Sequence, residues 1–374
     1  MKIIICINTA WNLVNFRSGL IKALIAQGHE VIAAAPIDEY ASRLSVLGCR
    51  YIPVPMDNKG THPVQDAALF LRFLRLFRRE KPDIFLGYTI KPNIYGSLAA
   101  HLAGVSVINN VAGLGSAFIK DNWLTKLVQL LYRLALGRSK KVFFQNKDDA
   151  QLFINNRLVT SNKVTILPGS GVDLNHFYLS VINKLPNQPF RFLLIARMLR
   201  DKGVVEFVQA AKMLRQERSD VEFCLLGFLD SQNPTAISTA QMQAWVVEGY
   251  IQYCGSADDV RPEIERADCV VLPSYREGTP RTLLEAASMG RPIITTDAVG
   301  CRDVVDDGVN GYLCKVRDAF DLSEKMRQML NLSKQQHAEM GLQGRKKIER
   351  VYDEKFVLQA YLDEINILGM KRRK

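Results

Sequence analysis

Residues 3–7 form an unbroken apolar run, the pattern of a strand covered on both faces. The stretch 8–18 reads as a loop. Leu20, Ile21, Leu24 and Ile25 then recur at helical spacing, and Gly28 ends that helix. The alternation continues through strand 30–35, strand 51–54, helix 66–79, strand 84–87, helix 93–103 and strand 105–109. A second series opens with strand 190–196, helix 204–216 and strand 222–226. Strands 251–254, 269–272 and 292–295 follow, with helices between them. Strands alternating with helices predict parallel sheets covered by helices, an α/β class with two Rossmann-like doubly wound domains. The segment 178–189, with Pro186 and Pro189 and few periodic apolar positions, reads as the linker between domains 1–177 and 190–350.

The composition narrows the classes. Of 374 residues, 48% are apolar and 23% charged, which excludes disordered and fibrous chains. The formal charge is +11, from 49 Lys and Arg against 38 Asp and Glu. An excess of this size points to an anionic partner: a phosphorylated ligand, anionic lipid or nucleic acid. None of the 7 cysteines forms a C-x-x-C pair, which argues against zinc ribbons and thioredoxin-like chemistry. The first apolar run is too short for a signal peptide, and no stretch of 18 uncharged apolar residues occurs. The expectation is a cytoplasmic protein, attached at most to a membrane surface.

Three segments carry chemistry. The first, Glu277-Gly278-Thr279-Pro280-Arg281-Thr282, follows the apolar strand at 269–272 and opens a helix over 282–289 that contains Glu285. Pro280 suits the first helical turn, and a helix start offers N–H donors to an anion or to sugar hydroxyls. Two acceptor-only carboxylates, Glu277 and Glu285, flank that start, as hydrogen-bonding a nucleotide sugar requires. The second segment carries Arg197, Arg200, Lys202 and Gly203 where strand 190–196 gives way to a helix. Arg197 offers a planar fork to phosphate oxygens, Lys202 a point charge, and Gly203 close backbone approach; Arg200 reads as surface. The third, Gly169-Ser170-Gly171-Val172-Asp173, is by itself a turn.

Together these segments, in order, resemble glycosyltransferase family 4, the retaining family with the GT-B fold. Gly290-Arg291-Pro292 and Gly308-Val309-Asn310-Gly311 extend the likeness over nearly the whole chain. Val111-Ala112-Gly113-Leu114-Gly115-Ser116, with Lys91-Pro92-Asn93 upstream, is similar to the branch that adds N-acetylhexosamine-type sugars to lipid-diphosphate-linked glycans. The resemblance implies two domains facing across a cleft, with a C-terminal helix over about 352–374 returning to the first. It implies transfer from a UDP-sugar, a substrate and not a cofactor, to a lipid-linked glycan in cell-surface polysaccharide synthesis.

The resemblance also implies roles. Arg197 and Lys202 bind the donor diphosphate and neutralise the departing UDP, and Glu277 contacts the transferred sugar; these three form the catalytic set. Glu285 contacts ribose, the segment Gly278, Thr279, Pro280, Arg281 and Thr282 lines the donor, with N–H groups from all but Pro280, and the base lies near Gly255. The chain has no D-x-D, so the donor site is expected to work without metal. Retention is expected through same-face substitution. Asn15, Phe16, Arg17 and Gly19, with Lys91 and Asn109, stand for the acceptor side. Many members of the family carry a His there, and this chain does not; His101, in an apolar helix, reads as structural.

The basic charge gathers on helices 66–79 and 123–141. Arg72, Arg75 and Arg79 oppose Phe70, Phe73 and Phe77 in the first; Lys126, Arg133, Arg138, Lys140 and Lys141 accompany Leu127, Leu130 and Leu134 in the second. Such helices suit an anionic membrane surface, here the inner face of the cytoplasmic membrane, or pack on their own sheet with a solvated basic side. The runner-up reading is a nucleotide-sugar epimerase on the same architecture. An oxidoreductase lacks its G-x-G-x-x-G after the first strand, and no nucleic-acid motif accompanies the charge.

Overall fold

Both faces of the first apolar run are covered. In strand β1 (Lys2–Cys6), Ile3 and Ile5 join a cluster with Leu20, Leu24 and Tyr361, while Ile4 and Cys6 join the opposite one with Phe73 and Phe77. Each fully buried Ile contributes about 1.5–3 kcal/mol of transfer free energy. The computed structural model describes residues 1–57, 62–114, 123–180, 188–229 and 233–373, with backbone alone at 123, 124, 372 and 373. The chain divides into two units, Met1–Ser170 with Glu354–Lys374, and Gly171–Asp353.

The first unit holds a parallel sheet of β1, β2 (Glu30–Ala35), β3 (Arg50–Pro53), β4 (Ile84–Tyr88), β5 (Ser106–Val111), β6 (Lys141–Phe144) and β7 (Val164–Ile166). Its order is β3-β2-β1-β4-β5-β6-β7. The chain therefore reverses direction across the sheet between β1 and β4. The second unit holds β8 (Phe190–Ile195), β9 (Val221–Leu226), β10 (Gln252–Tyr253), β11 (Cys269–Leu272), β12 (Ile293–Thr296) and β13 (Gly311–Cys314), in the order β10-β9-β8-β11-β12-β13. Here too all pairings are parallel, and the reversal falls between β8 and β11. In open α/β sheets ligands bind outside the carboxyl ends of the strands at such reversals.

Six helices matter below: α1 (Ala10–Ala26), α2 (Pro63–Glu80), α3 (Trp123–Gly137), α4 (Val204–Glu217), α5 (Arg281–Ser288) and α6 (Glu354–Arg373). Helix α6 belongs to the first unit, burying Val357, Tyr361, Ile365 and Leu368 there.

Several expectations are corrected. The stretch 8–18 is not a loop: α1 starts at Ala10, and the Thr9 hydroxyl caps it by accepting from Asn12 N at 3.0 Å. Its buried stripe is Ala10, Leu13, Arg17, Leu20 and Leu24, and a charged residue in mid-stripe hid the period. Helix 123–141 ends at Gly137; Lys141 opens β6 and pairs with Glu364 of α6 at 2.8 Å. The units divide at Ser170/Gly171 and not within 178–189. Phe177 is buried in the second unit and Ser180 accepts from Arg291 at 2.9 Å, so 177–180 is fixed to that unit. Residues 181–187 of the expected linker lie outside the described residues. Val172 N donates to Tyr352 O at 2.9 Å, tying together the entry and exit of the second unit.

Candidate functional site

The reversal between β8 and β11 brings two predicted loops together. Lys202 follows β8, Glu277 follows β11, and their side chains form an ion pair with 16% and 17% exposure. Ser274 Oγ donates to Glu277 Oε1 at 2.8 Å and also lies 3.1 Å from Asp201 O, and Tyr275 N donates to Asp201 O at 2.9 Å. Glycine is demanded twice. Gly203 has φ +73°, and a Cβ there would meet Pro273 O at 2.1 Å; Gly300 has φ +80°, and a Cβ would meet Glu277 O at 2.3 Å. Glu277 N donates to Val299 O at 3.0 Å, so the loop after β12 backs the carboxylate.

Arg197 is exposed at the end of β8, and its guanidinium makes no hydrogen bond or ion pair among the described residues. Segment Glu277 to Pro280 leads directly into α5, whose cap residue is Pro280 and whose first residue is Arg281, one position earlier than expected. Glu285, one turn on, is buried and accepts from Arg281 Nε at 2.8 Å. Burial pushes its carboxyl up, Arg281 draws it down, and Asp259 of the loop after β10 adds to the rise. That loop includes Gly255 (φ +72°), whose carbonyl accepts from Gly227 N at 2.7 Å. The carboxyl edge of the second sheet thus gathers an exposed guanidinium, an ammonium–carboxylate pair and a helix start. The set suits a diphosphate joined to a polyhydroxyl group.

The residues expected on the acceptor side lie in the first unit and fare differently. Asn109 is fully buried; its amide donates to Asn93 Oδ1 (2.9 Å) and Ser97 Oγ (2.8 Å) and accepts from Ser139 Oγ (2.6 Å). It knits the core and presents nothing to a ligand. Gly19 faces the carboxylate end of the Glu354 side chain, which a Cβ would meet at 2.3 Å. Lys91 Nζ pairs with Asp66 Oδ1 at 2.9 Å. Asn15 donates to Trp11 O within α1, and Phe16 packs edge-on to Trp11. Arg17 is 4% exposed and lies over the Tyr88 ring, 4.4 Å from its centroid. Gly115 and Ser116 lie outside the described residues. His101 Nε2 donates to Ala135 O (2.7 Å), and burial lowers its pKa, a structural histidine.

Sequence reasoning missed Thr89, the residue after β4, with φ +62°. A β-branched residue in this region is a genuine outlier, and no local sequence signal announces one. It also missed Ser274, whose bond to Glu277 depends on the turn at the end of β11.

The models of two families match the chain: "Glycosyl transferase 4-like domain" over residues 15–169 and "Glycosyl transferases group 1" over 189–332. A relative from Campylobacter jejuni, N,N'-diacetylbacillosaminyl-diphospho-undecaprenol alpha-1,3-N-acetylgalactosaminyltransferase, is 30% identical over 94% of both chains. The chain belongs to the group 1 glycosyltransferases. The Escherichia coli UDP-Gal:alpha-D-GlcNAc-diphosphoundecaprenol alpha-1,3-galactosyltransferase is 27% identical over 71% of this glycosyltransferase and 70% of its own length. Among solved structures, Anabaena Alr3699/HepE in complex with UDP and glucose superposes with a TM-score of 0.81 at 17% identity, covering 98% of this chain and 99% of that one. The fold is GT-B, two Rossmann-like domains, and the class is transferase and not epimerase.

Proposed function

We propose that this glycosyltransferase moves an N-acetylhexosamine from a UDP-sugar to a lipid-diphosphate-linked glycan, with retention and without a metal ion, in cell-surface polysaccharide synthesis. The Lys202–Glu277 pair at the β8/β11 reversal carries the reading. Without donor each partner occupies the other. When a nucleotide sugar enters, Lys202 and Arg197 turn to the diphosphate, and Glu277 turns to the sugar hydroxyls. The cations, once turned to the diphosphate, then stabilise the charge gathering on UDP as the glycosidic bond breaks. The attacking hydroxyl approaches from the face the diphosphate leaves, and a departing phosphate oxygen takes its proton. Buried Glu285, held by Arg281, accepts from the ribose hydroxyls, and the base lies against the loop holding Gly255. The relatives' printed substrates, undecaprenol-diphosphate-linked sugars, support this acceptor class.

The same reading places the enzyme peripherally on the inner face of the cytoplasmic membrane. Among the described residues no helix is long and apolar enough to cross a bilayer. Helix α2 turns Leu69, Phe73, Leu76 and Phe77 into the core and leaves its arginines solvated, the pattern of a helix packed on its own sheet. Helix α3 differs: Leu127, Leu130 and Leu134 are 42%, 52% and 55% exposed on one stripe, with Lys126 and Arg133 exposed beside them. An exposed apolar stripe flanked by cations suits an anionic lipid surface. The test of function is transfer from UDP-N-acetylgalactosamine to a polyprenyl-diphosphate glycan with EDTA present. Product of retained anomeric configuration supports the reading; hydrolysis or epimerisation without acceptor contradicts it.

A further inference from the structure

Among the described residues two arginines are buried almost completely, and they are built differently. Arg291 is 1% exposed and donates five hydrogen bonds, to Ile264 O, Ser180 O, Met289 O, Ser180 Oγ and Glu265 O. Every part of its fork is met, as a structural arginine requires. Arg17 is 4% exposed and donates one, from Nη1 to Phe16 O at 3.0 Å; its Nε is buried without a partner. Among the described residues no carboxylate lies within ion-pair distance of it. Tyr88, under the guanidinium, and Tyr361 beside it are fully buried, and burial pushes both phenols up against the pull of Arg17. Neither therefore supplies a counter-charge. Asn110 Oδ1 is also buried without a partner, while its Nδ2 donates to Tyr361 Oη at 2.9 Å. A water molecule can satisfy such hydrogen bonds, but it brings no charge to a buried cation.

The place is as telling as the deficit. Tyr88 ends β4, and α1 follows β1, so the guanidinium stands at the reversal of the first sheet, where ligands bind. The next residue is Thr89, at φ +62°, its hydroxyl donating to Tyr88 O at 2.6 Å. The chain continues into a π-helical turn, Pro92–Gly96. Left-handed β-branched residues and π turns concentrate at functional sites, where strain is retained for a purpose.

We propose that Arg17 is the cation of a diphosphate-binding site in the first unit, at the carboxyl edge of β1 and β4, and that the acceptor supplies the diphosphate. The proposal rests on the acceptor class given above, but its binding test does not require transfer. The chain, saturated with UDP to occupy the donor site, is titrated with inorganic pyrophosphate by calorimetry at fixed salt. Wild type binds; Arg17→Gln binds at least about tenfold more weakly with UDP affinity unchanged. A short polyprenyl diphosphate in detergent displaces pyrophosphate from wild type, which marks the acceptor as the source. Equal pyrophosphate affinity in both proteins overturns the site, and a matching loss of UDP affinity overturns the acceptor as its source. Should Arg17→Gln not fold, Arg17→Lys decides. It keeps the charge and loses the planar fork: weakening of about threefold or more sustains the site, and wild-type affinity overturns it.

Discussion

Lys202 Nζ stands 2.5 Å from Glu277 Oε1, joining the loops after β8 and β11 across the reversal of the second sheet. On the proposed reading the pair separates two roles that meet on one donor. Lys202→Ala is expected to weaken UDP binding about tenfold, the loss of one charge-assisted contact, and to slow transfer about 10²–10³-fold. Glu277→Gln is expected to leave UDP affinity within about threefold while transfer falls by a similar factor, because on the proposed reading its partner in the complex is the sugar. Calorimetry with UDP and a radiolabelled-sugar transfer assay separate the two effects. Equal loss of UDP affinity in both variants would remove the division of labour.

Gly203 and Gly300 hold those loops against neighbouring backbone, with Pro273 O and Glu277 O where a Cβ would stand. Gly203→Ala and Gly300→Ala each add a clash and a left-handed alanine. Each is expected to lower stability by about 1–3 kcal/mol and to weaken UDP binding. Thermal unfolding with and without UDP reads both. Gly28→Ala, also at positive φ but with open space around its Cβ, is the control and should leave UDP binding intact.

Glu285 has its carboxyl pushed up by burial, partly offset by Arg281. A group that binds its proton more tightly folded than unfolded adds stability at low pH and loses it as pH rises through the folded value. Glu285→Gln is therefore expected to leave stability at neutral pH unchanged or raised by up to about 1 kcal/mol, and to flatten its decline above the carboxylate range. It should also raise the KM for the nucleotide sugar. A variant destabilised at neutral pH yet unimpaired in donor binding would make Glu285 a purely structural partner of Arg281.

Helix α3 makes the membrane reading specific. Replacing Leu127, Leu130 and Leu134 by Ser is expected to reduce binding to vesicles containing anionic lipid at least about tenfold, with donor binding and folding retained. Replacing Arg72 and Arg75 of α2 by Gln should lower it far less. Vesicle co-sedimentation at fixed salt measures both, and the reverse ranking would move the contact to α2.

Much of this was legible in the chain because the strands are buried on both faces and read as plain apolar runs. The proposed donor residues were legible for a related reason: Arg197, Lys202, Glu277 and Glu285 sit in two short loop-to-helix segments, so local spacing carries them. The first unit resisted. Arg17 faces the core in mid-helix, so the apolar period of α1 broke and its first half read as loop. Asn109 looked available because it is polar, yet three partners from distant parts of the first unit consume it. Lys141 extended a basic run that the fold cuts between a helix and a strand. Pro186 and Pro189 suggested a linker, while the bonds of Ser180 to Arg291, 111 positions away, place the division earlier. These outcomes depend on long-range contacts that no local pattern encodes.

The central claim is that the β8/β11 reversal is a metal-independent UDP-sugar site. Thermal unfolding of the full chain with UDP, GDP and ADP, in EDTA, tests it most directly. Ligand at about a hundred times its dissociation constant stabilises by about 2.7 kcal/mol. The account predicts a UDP-selective rise of that order that Lys202→Ala greatly reduces. No shift with UDP, or a shift that appears only on adding a divalent cation, would contradict it.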